Sequence, residues 1–150
     1  MLVYRLPRTP STPRITLWRR LRRLGVAQVV DGVVALPAGG DNREQLEWLA
    51  EDVVQAGGEA SIWLSRPATA AEHRALVQGM TARVDEEYRE IAREAVAALR
   101  DPFAARRRTL ARLRKKLRRV GARQHFPAVE ADSARDAVEA LARAVTEAAA

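Results

Sequence analysis

Residues 2–37 read LVYRLPRTPSTPRITLWRRLRRLGVAQVVDGVVALP, and the order of patterns within them decides the fold. Leu2-Val3-Tyr4 with Leu6 is a short apolar strand. It stops at Pro7, because proline has no N–H to give to a central ladder. After a Pro/Ser/Thr segment, Thr12 is placed to cap a helix and Pro13 suits its first position, where the missing N–H would be unpaired anyway. Ile15, Trp18, Leu21 and Leu24 recur at near-helical spacing and are expected to form the buried stripe. Arg14, Arg19, Arg20, Arg22 and Arg23 fill the remaining faces, and Gly25 is placed to end the helix. Val26–Val30 and Val33–Pro37 are apolar, β-branched runs separated by Asp31-Gly32. That dipeptide predicts a hairpin with a type I′ turn.

Working outward, Asp41 or Asn42 is expected to cap a second helix, with Glu44 or Gln45 completing a capping box. Leu46, Leu49, Val53 and Ala56 make its stripe, and Gly57-Gly58 close it. Ala60, Ile62 and Leu64 alternate with Ser61, Trp63 and Ser65 in a last strand that ends at Arg66-Pro67. The order strand, helix, strand, strand, helix, strand predicts an α+β chain. Residues 1–67 are read as a ferredoxin-like βαββαβ cassette, with both helices on one sheet face.

Residues 68–150 read as a helical extension of about three helices, expected to pack on the cassette or on a dimer partner. Thr69 with Glu72 makes a capping box. Val77, Met80, Val84, Tyr88, Ile91, Ala95 and Leu99 step along one long amphipathic helix. Asp101-Pro102 restarts the chain as cap and first position. Leu110, Leu113, Leu117 and Val120 form the next stripe, with Gly121 as its stop. Ser133 is expected to cap a final helix whose inward residues are Ala134, Val138, Leu141 and Val145.

Nearly half of the 150 residues are hydrophobic, enough for a packed core, and the formal net charge is +7. There is no cysteine, which excludes disulfides, thiolate nucleophiles and Cys-ligated zinc. No apolar run reaches transmembrane length and no secretory signal is visible, so a cytoplasmic protein with no membrane partner is expected. The charge is segregated. Residues 1–25 carry seven Arg and no acid, and residues 101–125 carry ten Lys or Arg and one acid, Asp101. The two segments thus hold 17 of the 26 basic residues and 1 of the 19 acidic ones, leaving the rest of the chain net negative. Because 24 of the 26 basic residues are Arg, a GC-rich genome is one source of this bias. Clustered Arg otherwise points to a polyanion, since each neutralised phosphate releases counterions.

The nucleic-acid-binding candidates are Arg14, Arg19, Arg20, Arg22 and Arg23 on one element. On the other they are Arg106, Arg107, Arg108, Arg112, Arg114, Lys115, Lys116, Arg118 and Arg119. A second reading has the later run paired with acids of the long helix, among them Asp85, Glu86, Glu87, Glu90 and Glu94.

No catalytic motif is present. His73 and His125 lie far apart and outside any metal-binding spacing. Asp85-Glu86-Glu87 occupy adjacent helical positions and diverge around the axis. The serines have neither a nucleophile-elbow context nor a neighbouring base. There is no phosphate-binding glycine loop. No catalytic residue, metal or cofactor is expected. Trp18, Trp48 and Trp63 are expected in the core or at an interface, with Trp63 a base-stacking residue if it lies on the open sheet face.

The segment YRLPRTPSTPRITLWRRLRRLGVAQVVDGVVALP, followed by EQLEWLAEDVVQAGGEA, DEEYREI and LRKKLRRVGARQHFP, resembles the N-terminal domain of the ChrB chromate-resistance proteins. The resemblance covers nearly the whole chain. It implies a bacterial regulator of chromate-efflux operons that binds operator DNA, with a chromate oxyanion as signal. The longer regulators carry a second, C-terminal domain that this sequence does not contain. Where sensing depends on that domain, the resemblance does not carry chromate responsiveness over to this chain; an Arg-lined pocket would still suit a tetrahedral dianion. The first cassette also resembles the small CRISPR adaptation proteins and the central domain of PaaX-type repressors. In the former, an Asp ending the first strand is associated with metal-dependent nuclease activity; here Tyr4-Arg5-Leu6-Pro7 holds no acid.

The expectation is therefore a non-enzymatic, DNA-binding transcriptional regulator acting as a homodimer. The alternatives are an interaction module that does not touch nucleic acid and a small enzyme acting on an anionic substrate.

Overall fold

A computed structural model describes residues 1–150. The elements run β1 (Leu2–Arg5), α1 (Thr12–Leu24), β2 (Ala27–Val30), β3 (Val33–Ala35), α2 (Gly40–Gln55) and β4 (Glu59–Ile62). Three helices follow: α3 (Ala70–Ala98), α4 (Phe103–Ala122) and α5 (Ala131–Ala149). The chain is α+β, with five helices and a four-stranded antiparallel sheet in the order β2-β3-β1-β4. It divides into two compact units, Met1–Met80 and Thr81–Ala150, and the division falls within α3.

In the first unit, β1 is central because it pairs on both sides, Leu2 opposite Val34 of β3 and Ile62 of β4. The backbone pairing runs on past β4, since Trp63 N–H donates to the Met1 carbonyl at 2.8 Å. Alternation along the strands puts Leu2 and Val34 on one face, where they pack with Leu17 and Leu21 of α1 and Leu46, Leu49 and Val53 of α2. Both helices therefore cover the same sheet face, as the order of elements predicts. Leu64, expected to continue the inward series, lies beyond the strand and is almost fully exposed.

The stripe expected on α1 is corrected. Leu17 and Leu21 are buried, whereas Ile15 and Trp18 are 46% and 54% exposed. The helix carries apolar residues on two faces, and adjacent positions differ by about 100° around the axis. The row Leu17, Leu21, Leu24 meets the sheet, which turns Trp18 outward. Trp48 and Trp63 are also about half exposed, so none of the three tryptophans is a core residue.

Gly25 ends α1 as expected, at φ 68°, with its N–H donating back to the last turn. The hairpin forms at Asp31-Gly32, but Gly32 alone has positive φ, so the turn is not type I′. A register irregularity between Gln28 and Val30 takes up the difference. Gly32 is required twice over: its φ is +76°, and a Cβ there would lie 2.5 Å from the Tyr4 carbonyl oxygen of β1.

Three helix starts also differ. Ser11, not Thr12, is the N-cap of α1, with no side-chain cap bond. The helix α2 begins at Gly40 with Gly39 as N-cap, and Asn42 instead donates to the Pro37 carbonyl at 3.0 Å. Pro102 is itself the N-cap of α4, which runs one residue past Gly121. The Thr69–Glu72 capping box forms as expected: Thr69 N–H donates to Glu72 Oε2 at 2.9 Å and Glu72 N–H to Thr69 Oγ1 at 3.2 Å.

The second unit has its own core. Val84, Tyr88, Ile91 and Ala95 of α3 meet Leu110, Leu113 and Val120 of α4 and Ala134, Val138 and Leu141 of α5. Each of these lies on its predicted stripe. At the end of α3, Ala98 is buried in place of Leu99. Asp85 is buried too, and accepts a hydrogen bond from the Glu130 N–H at 3.0 Å. That contact starts α5 at Ala131, two residues before the expected cap Ser133. A charged group at the positive end of a helix, holding one of its unpaired N–H groups, explains why an acid is tolerated in this core.

Candidate nucleic-acid interface

The Arg-rich helix α1 lies in the first unit. Its Leu17/Leu21 row faces the sheet, which leaves the arginines on the flanks and the outer side. Arg20 is drawn aside by an ion pair with Asp52 of α2. Arg22 lies over the Trp18 ring, 4.8 Å from its centroid, one helical turn away. Arg14, Arg19 and Arg23 are exposed and form no ion pair.

In α4 the nine predicted cations separate into two sets. Burial of Leu110, Leu113 and Val120 fixes the rotation of the helix. On one flank, Arg112 pairs with Glu94 of α3 at 2.6 Å, and Lys116 reaches Glu90 at 3.2 Å and Glu94 at 3.1 Å. Burial pushes the Lys116 ammonium down, but the hydrogen bonds it donates to both carboxylates outweigh that and hold it above its ordinary value. Burial likewise pushes Glu94 up, and its bonds to Arg112 and Lys116 outweigh that and hold it below its ordinary value. On another flank, Arg106 donates to the Ala144 carbonyl at 3.4 Å, and its Nε is buried without a partner.

The second set is exposed. Arg107, Arg108, Arg114, Lys115, Arg118 and Arg119 carry no acidic partner and recur at helical spacing around the solvent side. The acid-paired reading of this run thus holds for two residues and not for the exposed six. Arg112 and Lys116 are tied to the acidic helix, and the other six cations of the run between Arg107 and Arg119 face water. Sequence density alone could not divide them, because nine charges in fourteen positions surround any helix.

Elsewhere the chemistry is sparse. Asp85, Glu86 and Glu87 diverge as expected: Asp85 holds the Glu130 N–H, Glu86 pairs with Arg89 and Arg93, and Glu87 pairs with Arg123. No three His, Asp or Glu side chains converge as metal ligands would. His73 borders a shallow, open depression with Arg66, Pro67, Ala68, Thr69 and Ala70, none of them a carboxylate. No helix is long and apolar enough to cross a membrane.

A family model described as Protein ChrB, N-terminal, matches residues 14–150. The chain belongs to the ChrB N-terminal family. No curated protein matches it, and no solved structure does.

The segment DEEYREI, through which the ChrB resemblance runs, is where the polar contacts of the second unit meet. Besides the three acids already placed, Tyr88 O–H donates to Gln124 Oε1 at 2.7 Å, and Arg89 Nε donates to Glu130 at 3.1 Å. Glu90 accepts from Lys116 at 3.2 Å and Ile91 is fully buried. Apart from Glu86, whose partners Arg89 and Arg93 lie on α3 itself, every residue of this ChrB segment ties α3 to α4, to α5 or to the turn between them. The segment builds the scaffold, and it leaves the outer face of α4 free.

Proposed function

We propose that this ChrB-family chain is a non-enzymatic regulatory domain that binds duplex DNA through the outward cations of α4; Arg14, Arg19 and Arg23 of α1 form a second, separate group of cations open to nucleic-acid phosphates. One observation carries the reading: six neighbouring cations on one helix face lack any acidic partner, while acids are available on α3 and are used by Arg112 and Lys116 instead. A solvated structural helix gains nothing from six unpaired like charges, which repel one another along its surface. A phosphate backbone supplies the missing counter-charge.

The order β2-β3-β1-β4 with both helices on one face supports reading the first unit as a ferredoxin-like cassette. The family suggests an operator of a chromate-resistance operon, a homodimer and a chromate effector; exposed guanidinium groups suit a tetrahedral dianion as well as a phosphate diester. The test is fluorescence anisotropy with labelled duplex DNA over a salt series. Affinity that falls steeply and linearly with log salt supports the proposal. Absence of binding at low salt overturns it.

The competing reading, a helix held by its own acidic neighbour, draws on the Arg112–Glu94 and Lys116–Glu90 pairs. It accounts for two of the nine cations on α4 and leaves the exposed six without a role.

A further inference from the structure

The tryptophan that sequence periodicity assigns to the core is instead the centre of an outward surface. Ile15, Trp18, Arg19 and Arg22 stand at i, i+3, i+4 and i+7 and so share one face of α1. Trp18 is 54% exposed and Ile15 46% exposed, although the helix already has an inward row in buried Leu17 and Leu21 and partly buried Leu24. The Arg22 guanidinium stacks on the ring, 4.8 Å from its centroid, and orients it. No acid occurs in residues 1–25, and the one acid that reaches α1, Asp52, pairs with Arg20.

We infer that Trp18, braced by Arg22, is a base-stacking site, and that α1 takes an unpaired nucleotide rather than an intact duplex. The inference rests on the nucleic-acid reading for its partner class and narrows it at this helix. An indole offers a π-face that any nucleobase can stack on, and the flanking Arg14, Arg19 and Arg23 supply counter-charge for the adjoining phosphates. In a B-form duplex every base is already stacked on its neighbours, so the indole finds a base only where the strand is single, bulged or melted. A lipid surface suits the face less well. Interfacial helices bury a whole apolar side in the bilayer, and that side of α1 is already in the core.

The test compares one mixed-sequence DNA as a labelled single strand and as a duplex, at low salt, by anisotropy. The proteins are the wild type, Trp18→Ala, Trp18→Phe and Trp48→Ala, each checked for folding by circular dichroism. Trp18 is half exposed, so its removal leaves the core intact. Trp18→Ala is expected to lose about 5- to 100-fold in single-strand affinity and to keep its duplex affinity. Trp18→Phe is expected to retain most single-strand binding, and Trp48→Ala all of it.

A wild type that binds both forms, with Trp18→Ala unchanged on the single strand, overturns the stacking site and leaves the duplex reading standing. Equal losses on the two forms overturn it as well. Trp18-dependent single-strand binding without duplex binding upholds the stacking site and overturns the duplex reading. Binding of neither form overturns both.

Discussion

The division of α4 into free and paired cations predicts that two double substitutions of equal charge will behave differently. Arg114→Gln with Arg118→Gln removes two outward cations that carry no acidic partner. Arg112→Gln with Lys116→Gln removes the same charge from the flank held by Glu90 and Glu94. For B-form DNA each phosphate contact contributes about 0.9 to the slope of log affinity against log salt. If all six outward cations reach phosphates, α4 alone supplies a slope of about 5. The Arg114/Arg118 double variant then loses about 1.8 of it. The Arg112/Lys116 variant keeps the slope nearly whole, because its cations are already neutralised by protein.

Stability is expected to move the opposite way. The outward pair contributes no contact, and its removal relieves repulsion. Loss of the α3–α4 bridges costs about 1 kcal/mol after allowance for their partial exposure, or about 2–4 °C in Tm for a chain of this length. Anisotropy titrations at four or five salt concentrations, with thermal melts on the same samples, measure both quantities. Equal slope changes in the two variants would refute the division, and so would an unchanged slope in Arg114/Arg118.

Three further outcomes follow from single contacts. Gly32→Ala is expected to destabilise by at least ~1–2 kcal/mol, since it strains a positive φ and drives a methyl into the Tyr4 carbonyl; chemical denaturation measures it, and a neutral effect would mean that the turn rearranges freely. Asp85→Ala uncouples α3 from the start of α5 and is expected to cost about 1–2 kcal/mol, with hydrogen exchange rising first at Ala131–Ala134 rather than across the unit. Glu94, held below its ordinary carboxylate value in the folded chain, contributes stability that is present above about pH 4.5 and is lost as pH falls through its lowered folded value. Thermal melts from neutral to about pH 3 should therefore fall less in Glu94→Gln than in the wild type; parallel curves would show that the carboxylate is not coupled to folding.

The amino-acid sequence by itself determined the order of elements and part of their punctuation. Gly25, the Asp31-Gly32 turn, the Thr69–Glu72 box and the break at Asp101-Pro102 act through neighbours a few residues away, so they can be read locally. The same holds for the stripes of α3, α4 and α5, whose large apolar residues lie mostly on one face, with Val96 and Phe103 exposed. It also determined the concentration of positive charge in two segments, since that is a count.

Tertiary structure decided whatever depends on a partner distant in the chain. On α1 two apolar faces compete, and only the sheet beneath chooses Leu17/Leu21 and turns Trp18 to solvent. On α4 a dense run of cations has no preferred side until Glu90 and Glu94 of α3 bind Arg112 and Lys116. Asp85 reads as a partner for the cations of α4 until the start of α5 is brought to it. Periodicity states which residues share a face, but burial and pairing are properties of what that face meets.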